Sequence, residues 1–305
     1  MLYQIALGHV HLYLHTEYAV PTLTRFSQEH MRLLPEEVPA QKVKKNGDAP
    51  RGGVDRLDAR IICTDTMPVP EGAFCGTRGL VRCYRGARYS YAVLPSDAAR
   101  CGVTVAYSPD FTSIRIFIDA GQFAGALCPV EELALILPMS EMLARFNMQI
   151  LHASRIRIAD KAILFTAPSG TGKTTAARLW EKHAGAHIIS NDRVLISGAA
   201  KGFQTYGYLL DGEEPVSSTA AAPAGAIVLL RQGPENVLHV PAPFEAAHLL
   251  MSQTVADAWD TGQLTCMRML WLDLIERIPV YALTCRPDED AVRILQERLR
   301  ADGVW

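Results

Sequence analysis

The pattern of apolar and polar residues changes character near residue 130. Before that point the apolar runs are short and separated by polar turns, which predicts strands. Residues 7–14 alternate between apolar and polar positions, as in a strand with one buried face. The further predicted strands lie at 59–63 and 88–94, with a hairpin of 103–106 and 113–119 around a turn at 107–110.

After residue 130, helical and strand patterns alternate. Residues 131–150 have helical periodicity interrupted by Pro138, which predicts a kinked or divided helix bridging the two halves. Gly185 follows a helical run and predicts a helix end. The remaining predicted elements are strands at 162–166, 187–190, 226–230 and 280–285, a hairpin of 194–197 with 202–206, and helices at 175–181, 244–259, 263–277 and 288–300.

This order of elements predicts an α/β protein, α+β overall, with two domains. Residues 1–130 are expected to form a smaller, mostly β domain whose role the sequence does not indicate. Residues 131–305 are expected to form the second domain, including the bridging helix. The polar stretch 36–56 is rich in lysine, proline and glycine, and predicts a long mobile loop.

Composition narrows the class of protein. With 49% hydrophobic and 20% charged residues, the 305-residue chain is typical of a globular protein with a sizeable core. A net charge of −2 supplies no basic field for nucleic acid or an anionic membrane, so we expect neither partner. The start of the chain lacks a signal-peptide pattern, and the seven cysteines contain no CxxC pair. We therefore expect reduced thiols and a cytoplasmic protein; the sequence allows a homo-oligomer.

The segment 167–174, Ala-Pro-Ser-Gly-Thr-Gly-Lys-Thr, lies between a predicted strand and a predicted helix, the context of a phosphate-binding loop. Gly170 and Gly172 can adopt positive φ, so that successive N–H groups converge on one anion. The helix opening near Lys173 adds unpaired N–H groups and the positive end of its dipole. Lys173 would contact the β- and γ-phosphates, and the Thr174 hydroxyl would bind Mg²⁺.

One position departs from the pattern GxxxxGK[ST]. Its first glycine is Ala167, which a strand-end conformation with negative φ tolerates and a positive φ does not. The alternative interpretation is a chance turn of small residues joining a strand to a helix.

A phosphate loop needs a carboxylate near the metal, usually at the end of a neighbouring strand. Asp192 ends an apolar run 18 residues after Thr174, which leaves room for one helix and a returning strand. Asp192 should therefore emerge beside the loop. A simple turn-forming role before Arg193 is the alternative.

Three segments together resemble a known family: Leu151-His152-Ala153-Ser154, the loop of 168–174, and Asn191-Asp192-Arg193-Val194. In this order they are similar to the HPr kinase/phosphorylase superfamily, whose core is similar to that of ATP-dependent phosphoenolpyruvate carboxykinase. More narrowly, the chain resembles HPr-kinase-related proteins of bacterial peptide-modification gene clusters. The resemblance covers about residues 148–300 and implies a P-loop nucleotide-binding domain of that type.

The resemblance also implies functional residues. It places ATP and Mg²⁺ at Ser169, Gly170, Thr171, Gly172, Lys173, Thr174 and Thr175. It places His152 near the transferred phosphate and assigns Asp192 to the metal or to the acceptor hydroxyl. Without the resemblance, His152 is equally well a half-buried histidine at a helix end.

The chain departs from this family at two places. HPr kinases have paired aspartates where this chain has Asn191 and Asp192, and an asparagine cannot accept a proton. Their glutamate-containing signature is absent. Two interpretations of Asp211, Glu213 and Glu214 are open: one of them replaces that function, or they form only a solvated acidic loop.

Three functions follow. The first is an ATP-dependent kinase that phosphorylates a hydroxyl, such as a serine of a peptide or protein. The second is a kinase of the same core acting on a small metabolite. The third is a non-catalytic module that binds ATP, motivated by Ala167 and Asn191.

Two clusters outside the loop also deserve a hypothesis. His9, His11 and His15 lie on one face of the predicted strand, as metal ligands do, but a straight strand does not bring three imidazoles together, so a solvated or half-buried strand face is expected instead. The basic group comprises Arg78, Arg82, Arg85 and Arg88. It suits either a salt-bridged strand surface or a contact with an acidic peptide or phosphate. Trp180, Trp259 and Trp271 lie in predicted helices as core anchors.

Overall fold

In the computed structural model, the described residues are 1–22, 25–34, 55–97, 101–123, 125, 127–199, 202–210 and 218–305. They form a mixed α/β fold with two large sheets and divide into two compact units. Unit 1 comprises Met1–Met142 with Asp257–Trp259, and unit 2 comprises Leu143–Ala256 with Asp260–Trp305. The sequence places a boundary near residue 130, whereas this division falls after Met142.

Unit 1 is built on one nine-stranded sheet of order β3-β1-β2-β4-β9-β8-β7-β6-β5. Its strands are β1 (Leu2–Leu7), β2 (Val10–His15), β3 (Met31–Leu34), β4 (Asp55–Thr64), β5 (Ala73–Arg78), β6 (Val81–Arg85), β7 (Ser90–Leu94), β8 (Val103–Tyr107) and β9 (Ile114–Asp119). Its helices are α1 (Arg25–His30), a 3₁₀ turn at Ala120–Gln122, α2 (Val130–Ile136) and α3 (Met139–Ala144), the last of which runs across the division. The predicted hairpin of β8 and β9 is confirmed by their antiparallel pairing.

Strand alternation gives this sheet two different faces. Burial alternates along β2 and β9, so every second residue enters the core and the residues between are partly exposed. The core face carries Leu12, Leu14, Ile116 and Ile118, all essentially buried. The other face is taken up below.

The single strand predicted at 7–14 is wrong, because the chain turns back at Gly8 and His9. Leu7 pairs with Val10 across a two-residue turn, and Gly8 has φ of 67°. Glycine at a positive φ is what such a tight hairpin needs. The alternating apolar residues continue through the turn, so the pattern hides the reversal.

Unit 2 is built on an eight-stranded sheet in which β10 pairs with three strands. Its path is β11-β10-β13-β14-β15-β17-β16, with β12 also on β10 and β11 also on β15. The strands are β10 (Met148–Ile158), β11 (Lys161–Thr166), β12 (His187–Ser190), β13 (Arg193–Ala199), β14 (Gly202–Gly207), β15 (Ala222–Gln232), β16 (Val237–His239) and β17 (Val280–Cys285). The helices are α4 (Lys173–Ala184), α5 (Pro243–Ser252), α6 (Thr261–Arg277) and α7 (Glu289–Ala301).

Two hydrophobic clusters cover the faces of this sheet. One packs Leu250 of α5 and Trp271 of α6 against the sheet. The other packs Trp180 of α4 and Leu295 of α7 against the opposite face. Most predicted elements of this half are confirmed, and Gly185 ends α4 with φ of 64°.

The long helix predicted at 131–150 is wrong in its last third. Pro138 divides it into α2 and α3 as expected, but the strand β10 begins at Met148. β10 pairs with strands on both edges, so its apolar residues are buried on both faces. A strand buried on both faces has no period of two, and short apolar runs of this kind also fit a helix.

The helix predicted at 244–259 ends at Ser252 instead. Trp259 is therefore not helical, although Trp180 and Trp271 are buried helix residues as expected. Within unit 1, Trp259 packs so closely on Gly76 that a Cβ there would lie 2.5 Å from its ring. Gly76 is thus required by this tryptophan.

Two of the predicted loops fall partly outside the part of the chain that the structure describes. Residues 36–54 of the predicted loop lie outside the described residues, and Asp55 and Arg56 belong to β4. Asp211, Glu213 and Glu214 also lie outside them. All seven cysteines, each of which is described, are free thiols. Among the described helices, none has the length and apolar character to cross a bilayer.

Candidate functional site

The segment 167–172 joins β11 to α4 and contains two glycines in left-handed conformations. Gly170 and Gly172 have φ of 78° and 105°, and Gly172 is the residue that caps α4. Ala167 is not among the residues with positive φ, so alanine is tolerated at the strand end as expected. A Cβ on Gly170 would meet no atom within 4 Å, so glycine is needed there for its backbone conformation.

Lys173 is the first residue of α4, and its side chain folds back over the loop. Its Nζ donates to the carbonyl oxygens of Ala167 at 2.9 Å and Pro168 at 3.2 Å. Lys173 is buried, with 6% of its surface exposed. Burial lowers the pKa of Lys173, and the charge of Asp192 opposes that shift.

The other predicted residues are positioned by β10. Arg155 of β10 pairs with Ser190, and His152 pairs with Arg193, so β12 and β13 follow the same edge of β10 in turn. The bend between them, Asn191 and Asp192, therefore lies beside the middle of β10. The N–H of Ala153 donates to the carbonyl of Asp192 at 3.0 Å.

Asn191 is held in this bend by Ser154. The Ser154 hydroxyl lies 3.1 Å from the backbone oxygen of Asn191 and 3.2 Å from its side-chain oxygen Oδ1. Both residues are buried. Asn191 is thus part of the bend's internal hydrogen bonding.

Asp192 and His152 form the polar pair of the site. His152 Nε2 lies 2.9 Å from Asp192 Oδ1. The hydrogen bond from His152 lowers the pKa of Asp192, and the charges of Arg193 and Lys173 act in the same direction against the effect of burial. Asp192 is therefore a carboxylate at neutral pH, facing both the histidine and the loop lysine.

His152 lies within β10, so the alternative of a histidine at a helix end is wrong. Its backbone is fixed from both sides: its N–H donates to Gln253 at 2.9 Å, and its carbonyl accepts from the Thr166 hydroxyl at 2.8 Å. Ile156, four residues after His152 in the same strand, packs in one cluster with Trp180 of α4. Alternation along the strand therefore places His152 on the side of the sheet that α4 covers.

The remaining loop residues differ in exposure. Ser169, Gly170 and Thr175 are exposed, whereas Thr171, Gly172 and Thr174 are half-buried. Thr174 lies in the first turn of α4, directly after Lys173. The backbone of the loop is thus open to solvent while the lysine side chain is enclosed.

Sequence reasoning missed two residues at the end of β15. Gln232 Nε2 lies 3.4 Å from the carbonyl oxygens of Gly170 and Thr171, so this side chain supports the loop. Arg231 and Gln232 line a cavity of about 660 Å³ together with the loop and Gln253. The signal that could have identified them is their position at the end of a buried apolar run. This strand runs parallel to β11, so its end lies beside the loop.

The other candidate clusters are placed elsewhere. His15 and Asp58 are 2.7 Å apart, and His9 lies in the hairpin turn. Among the described residues there is no group of three or more His, Cys, Asp or Glu side chains that could hold a metal. His11 and His15 lie on the face of β2 opposite its buried residues, whereas His9 does not belong to the strand.

The four arginines of the basic group do not act together. Arg78 donates to the carbonyl oxygens of Leu137 at 2.7 Å and Ile136 at 3.3 Å. Arg85 donates to Glu141 at 2.8 Å. Arg82 is exposed on the other face, and Arg88 lies 5.5 Å from the ring centre of Tyr89.

Comparisons with known proteins add little. No family model matches this sequence, and no curated protein matches it. Among solved structures, the HPr(Ser) kinase/phosphatase from Coxiella burnetii is 11% identical, with 51% of this chain and 93% of that chain covered at a TM-score of 0.28. A likeness at this level carries no argument about this chain.

Proposed function

We propose that this protein is an ATP- and Mg²⁺-dependent phosphotransferase that transfers the γ-phosphoryl group to a hydroxyl, with a serine of a peptide or protein as the preferred acceptor. We further propose that unit 2 is a P-loop domain of the HPr kinase and phosphoenolpyruvate carboxykinase type. The observation that supports this best is the grouping of Lys173, Asp192 and His152 beside a glycine loop at the start of a helix.

The residues present fit a triphosphate. Gly170 and Gly172 have the conformations that turn consecutive N–H groups toward one anion, and the 12 residues of α4 begin directly after them. Lys173 is held in place by two loop carbonyls and brings a positive charge to this position. Ser169, Thr171 and Thr175 would complete the phosphate contacts.

The donor set also fits Mg²⁺, a hard cation that prefers oxygen ligands. Thr174 would provide a hydroxyl oxygen, and Asp192 would provide a carboxylate that its neighbours keep ionised. Bound Mg²⁺ neutralises charge on the phosphate oxygens. Asn191 cannot replace Asp192, because its amide carries no charge and is bonded to Ser154.

His152 can accept the proton of the acceptor hydroxyl with the help of Asp192. When His152 donates from Nε2 to Asp192, its free lone pair lies on Nδ1. Nδ1 can then accept the hydroxyl proton, and the Asp192 carboxylate stabilises the imidazolium that forms. Phosphoryl transfer needs little help from a base, so we expect positioning by this pair to matter as much as proton transfer.

A transfer assay tests the proposal. The protein is incubated with γ-labelled ATP, Mg²⁺ and either serine-containing peptides or a panel of small hydroxyl compounds. Label on a peptide supports the proposal, label on a small compound indicates a metabolite kinase, and tight ATP binding without transfer indicates a non-catalytic module. Absence of ATP binding contradicts all three.

The variant Lys173→Ala tests whether the loop lysine takes part in ATP binding and transfer. Removing the loop cation should lower transfer by about 100-fold or more and weaken ATP binding by about tenfold. Lys182→Ala is the control, because Lys182 is an exposed lysine on the last turn of the same helix. Equal rates in the two variants would remove Lys173 from the site.

A further inference from the structure

The open face of the unit 1 sheet carries an unusual row of side chains. Strand pairing aligns Arg115 of β9 directly with Arg60 of β4, and Arg60 with His15 of β2. On the other side of Arg115, the row continues with Ala106 of β8 and Tyr91 of β7. Neighbouring strands are about 4.8 Å apart, so the backbones of these two arginines lie side by side.

Such an arrangement does not help the sheet to fold. Like charges directly opposite each other on neighbouring strands are destabilising. Asp58, a carboxylate on the same face, already has partners: Arg56 donates to its two oxygens at 2.8 Å, and His15 lies 2.7 Å away. Arg60 is exposed and makes no hydrogen bond or ion pair with any described residue.

Further cations lie on the same face. Arg32 of β3 aligns with Gln4, Gln4 with Tyr13, and Arg82 of β6 with Val93. Arg82 is exposed, and its strand lies four strand spacings, about 19 Å, from the strand of Arg60. In the described part of this face, the strands present five arginines against the carboxylates of Asp58 and Asp119. The whole chain has a net charge of −2, so this face has the opposite sign.

The tyrosine rings beside Arg56 and Arg115 are covered, whereas Phe74 of β5, which aligns with Tyr84 on the same face, is 58% exposed at the edge of the sheet. The guanidinium of Arg56 lies 4.1 Å from the ring centre of Tyr13, and that of Arg115 lies 4.7 Å from the ring centre of Tyr89. Tyr91 is buried, with 7% exposed. Nucleic-acid bases need free ring faces for stacking, which these tyrosines do not offer. Carboxylates bind the edges of guanidinium groups, and Arg32, Arg60 and Arg82 are exposed on this face.

A cavity adjoins the row. It has a volume of about 560 Å³, and its lining includes Arg60, His15, Thr16, Tyr18 and Leu2. A concave pocket next to an unpaired arginine provides an anchor for one side chain of a ligand, while the flat row accommodates the rest.

We propose that this face, the strip of Arg32, Arg56, Arg60, Arg82 and Arg115, is a binding site for an acidic polypeptide segment. The arginines extend over strands from β3 to β6, which suits an extended segment with several carboxylates. The site does not depend on the proposed phosphotransfer, since it lies wholly within unit 1.

Fluorescence anisotropy tests the proposal without ATP. The probes are a labelled 12-residue peptide of glutamate and aspartate, its lysine counterpart, and a single-stranded oligonucleotide of equal charge. We expect the acidic peptide to bind most tightly and its affinity to fall with added salt. The double variant Arg60→Ala with Arg82→Ala should bind it about 25-fold more weakly, about fivefold for each arginine.

Both substituted arginines are exposed, so their loss should leave the fold intact; circular dichroism checks this. Arg268→Ala is the control, because it removes an exposed arginine from α6 of unit 2. Tighter binding of the oligonucleotide would overturn the polypeptide assignment. Absence of binding, or an equal loss in the control, would overturn the site itself.

Discussion

At the scale of single residues, the ionisation of Asp192 depends on the groups around it. Its carboxylate is bonded by His152 and lies near the charges of Lys173 and Arg193. Three cationic or donor groups around one partly exposed carboxylate keep it ionised. The same side chain can therefore bind a metal ion and orient the imidazole.

Asp192→Asn preserves the shape of this side chain and removes its charge. We expect transfer to fall by about 100- to 1,000-fold while the thermal midpoint changes by only a few degrees. Asp160→Asn, an exposed aspartate in the turn between β10 and β11, should transfer at the wild-type rate. Wild-type rates in Asp192→Asn would show that the carboxylate plays no part.

The lowered pKa of Asp192 also predicts a pH dependence of stability. A carboxyl group whose folded pKa lies below its unfolded value of about 3.9 stabilises the fold above that pH, and the contribution is lost as pH falls through the folded pKa. Wild type should therefore lose its advantage in thermal midpoint over Asp192→Asn between about pH 5 and pH 2. A difference that stays constant over this range would mean that Asp192 is not stabilised in the folded state.

At the scale of elements, substitutions at the glycines on either side of α4 distinguish effects on stability from effects on ATP binding. Gly170 and Gly185 have similar left-handed conformations, φ of 78° and 64°, and neither has an atom within 4 Å of an added Cβ. Alanine at either position should cost about 1 kcal/mol in the free energy of unfolding, because only the backbone is strained.

Their effects on ATP should differ. Gly170→Ala alters the loop that holds the phosphates, so we expect ATP affinity to fall about tenfold or more. Gly185→Ala changes only the end of the helix and should leave affinity unchanged. Chemical denaturation and calorimetric titration of both variants measure the two effects; equal affinities would argue against phosphate binding at Gly170.

At the scale of the whole molecule, the residues of the proposed nucleotide site all belong to unit 2. We expect ATP with Mg²⁺ to slow amide exchange in residues 167–175 and around Asp192, because ligand binding suppresses local opening. Peptides covering β8 and β9 of unit 1 should exchange at unchanged rates. Hydrogen exchange with mass spectrometry measures both regions.

Lys173→Ala serves as the control for this experiment, since it should lose the protection at the same ATP concentration. Protection that persists in this variant, or that appears equally in β8 and β9, would place the nucleotide elsewhere.

Local features of this protein could be read from the amino-acid sequence, because they depend on neighbours only a few residues apart. The loop glycines, the break at Pro138 and the helix end at Gly185 follow from φ preferences and missing donors. The alternation of helices and strands in unit 2 follows from the spacing of apolar residues.

Tertiary structure decided the features that join distant segments. His152 meets Asp192, 40 positions away, only because β12 and β13 follow β10, the strand that the pattern mistook for a helix end. The row of Arg60 and Arg115 likewise exists through strand register alone. Register depends on hydrogen bonds between strands and on the burial of one face, and a linear pattern records neither partner.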